Sequence, residues 1–494
     1  MQKVIALTIC LFIQTFPQQT PLEKNNYQKL SSYAELTEFL FELDSLSFLL
    51  KVEIIGKSVE GRNLYSLKFS DSEFGKDPSK IRVLIFAQQH GNEQSGKEGA
   101  LILARNLLKQ ENHYLLDKVD FALVPQINPD GSEKNVRRNS NQADLNRNHL
   151  ILTEPETQAL HKLFEEYLFE ASMDVHEYYT YSDSWMNYGY LKNFDEQVGC
   201  NTNPNISERV RKFSNEVYLP FIEEYLTERN FSFHNYILGG PPDIELVRHS
   251  TYDINDGRQS LGILNSFSFI QEGKNGRDSL DNIKNRSEGQ AEGMLGFLKF
   301  IYTNSDLIKN LVSVERDKLI KSSSGEKVAI QYDHFNDGEK LILSLLSIYS
   351  NNDTNVIVND YRPIVKSIYD VERPVGYLVP KNLTEVIDWA NKQNLEFNSF
   401  NKADSSRIEK YFVSKIDSID FEGDTIVNPV VELKEDQNEI NEEDYYFIPL
   451  KQLKSNLIVI ALEPKSMLGL VTYKNYAYLL KQGEYYPILR VVDN

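Results

Sequence analysis

Cysteine is almost absent from this chain of 494 residues, which contains only Cys10 and Cys200. Cys10 lies in an N-terminal segment that we expect to be removed, so an internal disulfide is excluded and stability must come from core packing. Long apolar runs are also missing, since beyond the N-terminus no stretch reaches the about 18 residues that a membrane-spanning helix needs. Positive charge is scarce, with 53 Lys and Arg against 72 Asp and Glu and a formal net charge of -19. This balance repels polyanions, so nucleic acid and anionic membranes are poor candidate partners.

The N-terminus has the pattern of a secretory signal, and we expect residues 1–20 to be removed. Lys3 provides a positive start, and Val4–Phe16 is an apolar run too short to span a bilayer. The mature protein is therefore expected to be secreted or periplasmic. An uncleaved anchor or a buried first helix is the alternative, because no small-residue cleavage site follows the run.

The length of the chain predicts two domains, since single domains usually hold about 100 to 200 residues. Over residues 25–303 short apolar runs alternate with helical patterns, which indicates an α/β domain with a mixed, mostly parallel central sheet flanked by helices. After Thr303 the composition shifts toward Asn, Asp, Ser and Lys. We predict a smaller β-rich α+β accessory module over residues 326–494. Its predicted strands are 341–348, 457–462 and 486–492.

In the first domain, several predicted strands are followed by polar residues. The strands with their following residues are Ile81–Ala87 before His90, Phe121–Val124 before Asn128, Ser172–Val175 before His176, and Phe267–Ile270 before Glu272. Because ligands in α/β sheets gather at the carboxyl ends of strands, we expect these residues to share one rim. A helix is predicted over Ser95–Gln110. Thr153 is predicted to cap another helix, with Pro155 in its first turn.

His90 and Glu93 stand three residues apart on a predicted turn, and His176 ends a predicted buried strand. Two His with one carboxylate form a standard set for catalytic zinc, which keeps one position for water. The first pair alone is a weak signal, because a chain with 8 His can contain this spacing by chance. A lone His at a strand end is more often a satisfied buried side chain than a ligand. The three residues by themselves therefore leave both interpretations open.

Six motifs resemble those of the zinc carboxypeptidase family, the carboxypeptidase A-like metallocarboxypeptidases, and occur in the family's order. They are Gly56-Lys57-Ser58-Val59-Glu60-Gly61-Arg62, His90-Gly91-Asn92-Glu93, Asn128-Pro129-Asp130-Gly131, Asp144-Leu145-Asn146-Arg147-Asn148, Asp174-Val175-His176-Glu177 and Phe269-Ile270-Gln271-Glu272. Chance agreement of all six is negligible beside chance agreement of one. The C-terminal region more loosely resembles the extension of some bacterial members. The resemblance implies one zinc ion per chain, held by His90, Glu93 and His176.

The resemblance also implies roles for further residues. Glu272 is implied as the general base that takes a proton from water. Arg138 is implied as the residue that stabilises the oxyanion, with its neighbour Arg137 as the rival. Asn146 and Arg147 are implied to bind the free C-terminal carboxylate of the substrate, because a guanidinium group matches a carboxylate bidentately.

Two departures limit what the resemblance implies about the substrate. Asn92 stands where digestive members have Arg, so the outer subsites are expected to differ. Those members also have a Tyr that closes over the substrate and lies about twenty residues before the general base. Tyr252 lies at that distance from Glu272, but the residues around it match the family poorly. Side-chain specificity stays open, because acidic residues near Tyr252 would favour basic C-terminal residues and Arg258 would favour acidic ones.

These observations predict a secreted zinc-dependent metallocarboxypeptidase that hydrolyses C-terminal peptide bonds with a zinc-activated water and a glutamate base. Its substrate would be a peptide or a cell-wall stem peptide. One alternative is a zinc amide hydrolase acting on N-acyl amino acids, which the same metal set and carboxylate-binding pair would serve. The other is a non-catalytic peptide-binding protein, which the presence of all three ligands and the base disfavours.

Overall fold

The computed structural model describes residues 19–400, 406–421, 424–436 and 440–493. Residues 1–18, which make up most of the predicted signal, lie outside this description. Among the described residues, no helix has both the length and the apolar character needed to cross a membrane. The helices are α1 (Pro21–Lys24), α2 (Tyr33–Leu46), α3 (Gln94–Leu107), α4 (Pro129–Lys134), α5 (Pro155–Tyr167), α6 (Asp183–Tyr188), α7 (Glu208–Phe213), α8 (Leu219–Thr227), α9 (Gly257–Gly262), α10 (Ile283–Thr303), α11 (Ser305–Ile320), α12 (Thr384–Lys392) and α13 (Ser455–Leu462).

The strands divide among one large sheet and several smaller ones. They are β1 (Leu50–Lys57), β2 (Asn63–Phe69), β3 (Ile81–Ala87), β4 (Val119–Val124), β5 (Ala171–Tyr178), β6 (Tyr190–Lys192), β7 (Glu196–Cys200), β8 (Phe233–Asn235), β9 (Ile237–Gly239), β10 (Val247–His249), β11 (Phe267–Lys274), β12 (Lys327–Phe335), β13 (Leu341–Ser347), β14 (Asp353–Val358), β15 (Tyr361–Arg362), β16 (Ile364–Glu372), β17 (Gly376–Pro380), β18 (Asn398–Ser399), β19 (Ser406–Lys415), β20 (Ser418–Phe421), β21 (Asp424–Val427), β22 (Val430–Glu435), β23 (Tyr445–Pro449) and β24 (Leu489–Asp493).

The large sheet has eight strands in the order β1-β2-β4-β3-β5-β11-β7-β8. Its central strands β4, β3, β5 and β11 run parallel, and β1 and β2 pair antiparallel with their neighbours. Strand β7 pairs antiparallel with β11 and parallel with β8. Strands β3 and β4 are mostly apolar, whereas β5 and β11 also carry polar residues. All four strands are almost entirely buried, as expected when helices cover both faces of a parallel sheet. The predicted mixed, mostly parallel sheet with flanking helices is confirmed.

The carboxyl ends of β3, β5 and β11 lie side by side, as the sequence predicted. Strand β5 continues through His176, and β11 continues through Glu272, which is paired in register with His176. The predicted bounds of β3 are confirmed, and helix α3 begins one residue before the predicted start and ends three residues before the predicted end. At α5, Glu154 rather than Thr153 holds the N-cap position, because the hydroxyl of Thr153 accepts a hydrogen bond from Asn148 instead.

The C-terminal region is rich in β-structure, with a six-stranded sheet in the order β18-β23-β17-β24-β19-β22. The strand predicted over 457–462 is wrong, because these residues belong to helix α13. All eight residues of α13 are buried, so no alternation of polar and apolar residues distinguished a helix from a strand. One apolar core contains residues from both regions, among them Phe269 and Trp389. The division into domains at 303 and 326 stays a prediction.

Candidate metal centre and active site

His90, Glu93 and His176, here called the ligand triad, meet at the carboxyl ends of β3 and β5. Glu93 holds the N-cap position of α3, but its side chain makes no capping hydrogen bond. Its two carboxylate oxygens instead lie 2.7 Å from His90 Nδ1 and 2.9 Å from His176 Nδ1. The turn requires Gly91, because a Cβ atom there would lie 2.2 Å from the carbonyl carbon of Gly131. All three side chains are buried.

The geometry of the ligand triad fits a single zinc ion. The two Nδ1 atoms lie 3.2 Å apart, and one ligand atom from each residue lies within 4.8 Å of the others. Tetrahedral zinc with Zn–N distances of about 2.0–2.1 Å requires a separation of roughly 3.3 Å between two nitrogen ligands. Two imidazoles and one carboxylate are also donor types that zinc prefers. The predicted ligands are therefore brought together in an arrangement that can hold the ion.

A carboxylate stands behind each histidine of the triad. Asp144 Oδ1 lies 3.0 Å from His90 Nε2, and Asp174 Oδ1 lies 2.9 Å from His176 Nε2. Burial opposes the charged form of His176, but Asp174 and Glu93 raise its pKa well above the usual range. Histidines that bind metal typically donate their second ring N–H to such a carboxylate, which fixes the tautomer and leaves the first nitrogen for the ion.

Glu272 is a buried carboxylate beside the ligand triad. Burial and the charge of Glu93 raise its pKa to about 7, although His176 acts in the opposite direction. Tyr236 lies beside the Glu272 side chain, and its hydroxyl group acts to lower the pKa of Glu272. A carboxyl group with a pKa near neutrality can both accept and return a proton at physiological pH, as general base catalysis requires.

Two members of the ligand triad, His90 and Glu93, line a cavity of about 290 Å³ together with Glu272, and this cavity is here called the active-site cavity. The other residues that line it are Arg137, Asn146, Arg147, Glu177, Tyr178, Tyr179, Lys192, Tyr236, Ile237, Leu238, Thr251, Asp256 and Ile270. Asn146 Oδ1 accepts hydrogen bonds from Gln89 Nε2 at 3.2 Å and from the Gly257 amide at 2.7 Å. These two donors fix the side-chain orientation and leave the Asn146 NH2 group available to a ligand. Asn146 and Arg147 therefore lie in one cavity with His90 and Glu93.

Arg137, rather than Arg138, faces this cavity. Its Nη2 lies 3.0 Å from Asp144 Oδ2, and its Nη1 lies 3.4 Å from Glu93 Oε1. Arg138 is exposed and donates a hydrogen bond to the backbone oxygen of Gln142. Consecutive side chains in this non-helical segment point to different sides, so the preference for Arg138 is corrected in favour of Arg137, the rival.

Tyr252 is not brought into the active-site cavity. Its ring packs against Tyr332 and His334, with centroids 5.0 Å and 4.9 Å away. The tyrosine that reaches Glu272 is Tyr236, which precedes β9 and which the sequence reasoning missed. A fixed spacing to the base was the only signal used, and insertions in loops make such spacing unreliable. The structure corrects the substrate role assigned to Tyr252.

Arg258 is fully buried behind the cavity wall and is not among the residues that line it. Its guanidinium group binds Asp256 Oδ2 at 3.1 Å and the carbonyl oxygen of Cys200 at 3.2 Å. Asp256 also caps helix α9 by accepting a hydrogen bond from the Gln259 amide at 2.6 Å. Neither Arg258 nor Asp256 is therefore a free charge for recognising a substrate side chain.

Comparison with known proteins gives a consistent result. A family model described as zinc carboxypeptidase matches residues 36–218. Carboxypeptidase 2 from Trichophyton rubrum is 23% identical over 456 residues, which cover 88% of this chain and 81% of that protein. Carboxypeptidase D from Homo sapiens is 34% identical over 143 residues, which cover 25% of this chain and 10% of that protein.

Among solved structures, a metallo-carboxypeptidase from Burkholderia cenocepacia matches with a TM-score of 0.44 and 20% identity, over 57% of this chain and 71% of that chain. The family match includes the whole ligand triad, and the Trichophyton rubrum relative aligns along most of both chains. Residues 36–218 therefore match the zinc carboxypeptidase family, and the comparisons support a metallocarboxypeptidase.

Proposed function

We propose that the protein removes single residues from the C-terminus of peptides, using zinc held by the ligand triad. This proposal rests on the residues that line the active-site cavity. The cavity joins a metal-binding set, the buried carboxylate of Glu272, and a pair of groups, Asn146 and Arg147, that can bind a terminal carboxylate. The last pair specifies an exopeptidase, because an internal peptide bond offers no free carboxylate at that distance.

When bound, zinc would supply Lewis acidity, which polarises the scissile carbonyl and makes an adjacent water more acidic. Glu272 would accept the proton of the attacking water at its carboxylate and would then pass it to the departing amine. Tyr236 lines the cavity beside Glu272, where its hydroxyl group favours the charged form of the base.

Arg137 is placed to stabilise the negative charge that develops on the carbonyl oxygen. Asp144 and Glu93 hold its guanidinium group from one side, which fixes it beside the ligand triad. Its side chain is 45% exposed, so the remaining N–H groups can reach a substrate in the cavity. Donors oriented before the reaction act on developing charge without a reorganisation cost.

Substitution of the base tests this proposal. Glu272→Gln should lower kcat by about 10²- to 10⁴-fold, because general base catalysis contributes that much. Zinc content measured by elemental analysis should stay at one ion per chain, since Glu272 is not part of the ligand triad. Activity close to wild type in the Glu272→Gln variant would show that another group is the base.

We further propose that the protein acts outside the cytoplasm, because residues 1–20 have the charge and apolar pattern of a secretory signal. Expression of the full chain should give a secreted or periplasmic product that begins near residue 20. Sequencing of the N-terminus tests this, and a product that retains Met1 would contradict it.

A further inference from the structure

Lys192 is a buried cation in the wall of the active-site cavity. It ends strand β6 and is only 9% exposed. Its Nζ lies 5.3 Å from the centre of the Tyr178 ring and 5.8 Å from that of Trp185. Among the described residues, Lys192 makes no hydrogen bond through its ammonium group and no ion pair. The aromatic rings stabilise the charge only partly, since a cation over a ring gains less than a cation bound to a carboxylate.

The surroundings of Lys192 explain why its charge is not neutralised. The negative charges of Glu272 and Glu245 raise the pKa of Lys192 from a distance, and His234 is a further titratable neighbour. Burial lowers the pKa of Lys192 to about 8, and the two glutamates offset only part of this effect. A buried charge without a partner is costly, so its presence in a substrate cavity indicates an anionic group in the ligand.

The other side-chain charges around the cavity are already engaged. Arg137 is held by Asp144 and Glu93. Glu177 binds Arg286 at 2.6 Å and accepts a hydrogen bond from Ser95.

Asp256, the acidic residue that could have attracted a basic substrate side chain, is paired with Arg258. The charge left to recognise a substrate side chain is therefore positive.

We propose that Lys192 determines substrate specificity by binding the side-chain carboxylate of an acidic C-terminal residue, glutamate or aspartate. This inference rests on the proposed carboxypeptidase function, in which Asn146 and Arg147 take the terminal α-carboxylate. A C-terminal acidic residue carries a second carboxylate on the same residue. Two separate cationic positions in one cavity of about 290 Å³ match the two carboxylates.

The C-terminal region positions this lysine. Strand β13 pairs antiparallel with β6, and Leu345 lies opposite Lys192 in the register. A small apolar cluster joins the hairpin of β13 and β14 to the cavity wall, and its buried members are Trp185, Phe194, Ile237, Val247, Leu343, Leu345 and Val358. The hairpin therefore covers the outer side of the strand that carries Lys192 and holds its side chain toward the cavity.

The test compares peptides that differ only in the C-terminal residue, with the zinc-loaded full chain as enzyme. Release of C-terminal Glu, its neutral isostere Gln, and Lys is measured as kcat/KM. Wild type should prefer Glu over Gln by about tenfold or more, as expected for a hydrogen bond between charged groups. Lys192→Met should bring the Glu/Gln ratio to about one, Lys192→Arg should keep Glu preferred, and Lys192→Glu should make Lys the preferred residue.

Each result is a ratio within one variant, so a partial loss of folded or zinc-loaded protein cancels. Lys68→Met is the matched control, because Lys68 is similarly buried but is ion-paired with Glu53 outside the cavity; its Glu/Gln ratio should equal that of wild type. Equal hydrolysis of Glu and Gln peptides by wild type, or an unchanged Glu/Gln ratio in Lys192→Met, would overturn the role of Lys192 but not the proposed carboxypeptidase function. Failure of wild type to hydrolyse any of the peptides would overturn the proposed function and this inference with it.

Discussion

Replacement of Asp144 should weaken zinc binding although Asp144 is not a metal ligand. Its Oδ1 lies 3.0 Å from His90 Nε2, and hydrogen bonding to His90 together with the charges of Arg137 and Arg147 holds its pKa below the usual range despite burial. Two full charges at 3.0 Å would interact by about 5.5 kcal/mol at an effective dielectric constant of about 20. A metal-bound imidazole is neutral, so the real contribution must be smaller.

Loss of such a supporting carboxylate typically weakens metal affinity 10- to 100-fold, or about 1.4 to 2.7 kcal/mol. Asp144→Asn keeps an oxygen that can accept from His90, so we expect a loss near tenfold. Asp144→Ala removes the acceptor and should approach a hundredfold loss. The assay is an equilibrium competition for zinc between the metal-free protein and a chromogenic chelator, and it does not depend on activity.

Asp77→Asn is the control for this experiment, because Asp77 is partly exposed and its carboxylate accepts hydrogen bonds from the neighbouring Ser79. Its zinc affinity should match that of wild type. An affinity of Asp144→Ala within about twofold of wild type would refute the idea that the carboxylate behind His90 orients it for the metal.

Three further predictions concern the walls of the active-site cavity. Arg137→Ala should lower kcat by about 10²- to 10³-fold in steady-state peptide hydrolysis, because loss of an oxyanion donor has an effect of this size. A similar loss of kcat in Arg138→Ala instead would show that Arg138 stabilises the oxyanion. Arg147→Met should lower kcat/KM for peptides with a free C-terminus by about 10- to 100-fold, the worth of a charged hydrogen bond, and an unchanged value would show that the α-carboxylate binds elsewhere. Lys192 is charged below its pKa of about 8 and neutral above it. The preference for Glu over Gln, measured as kcat/KM, should therefore be present at pH 7 and lost as the pH rises through about 8. A preference that persists unchanged to pH 10 would contradict this prediction.

The sequence predicted the centre of the site well because short-range patterns determine it. His90 and Glu93 follow a strand whose apolar run is unmistakable, and His176 ends a neighbouring strand. Parallel strands bring their carboxyl ends to one edge, which explains why these residues meet. Their role as zinc ligands, however, was implied by the family resemblance, because the three residues alone left a structural role open.

The features that the sequence did not predict depend on distant packing. Residue 192 ends a three-residue strand without any motif, and its burial depends on a hairpin about 150 residues further along the chain. The difference between Arg137 and Arg138 depends on side-chain direction in a turn. Tyr236 reaches Glu272 from a loop whose length the family resemblance did not fix. In each case local pattern carries no information about which residues meet.

Mass analysis of peptides after incubation with the purified chain, before and after removal of metal, tests whether the protein is a zinc-dependent C-terminal exopeptidase. Treatment with a chelator should abolish cleavage, and one equivalent of zinc per chain should restore it. Products should then be shortened by one residue at a time from the C-terminus. Cleavage that survives complete removal of metal would contradict the metal centre. Cleavage at internal bonds or from the N-terminus would contradict the carboxylate-binding role of Asn146 and Arg147.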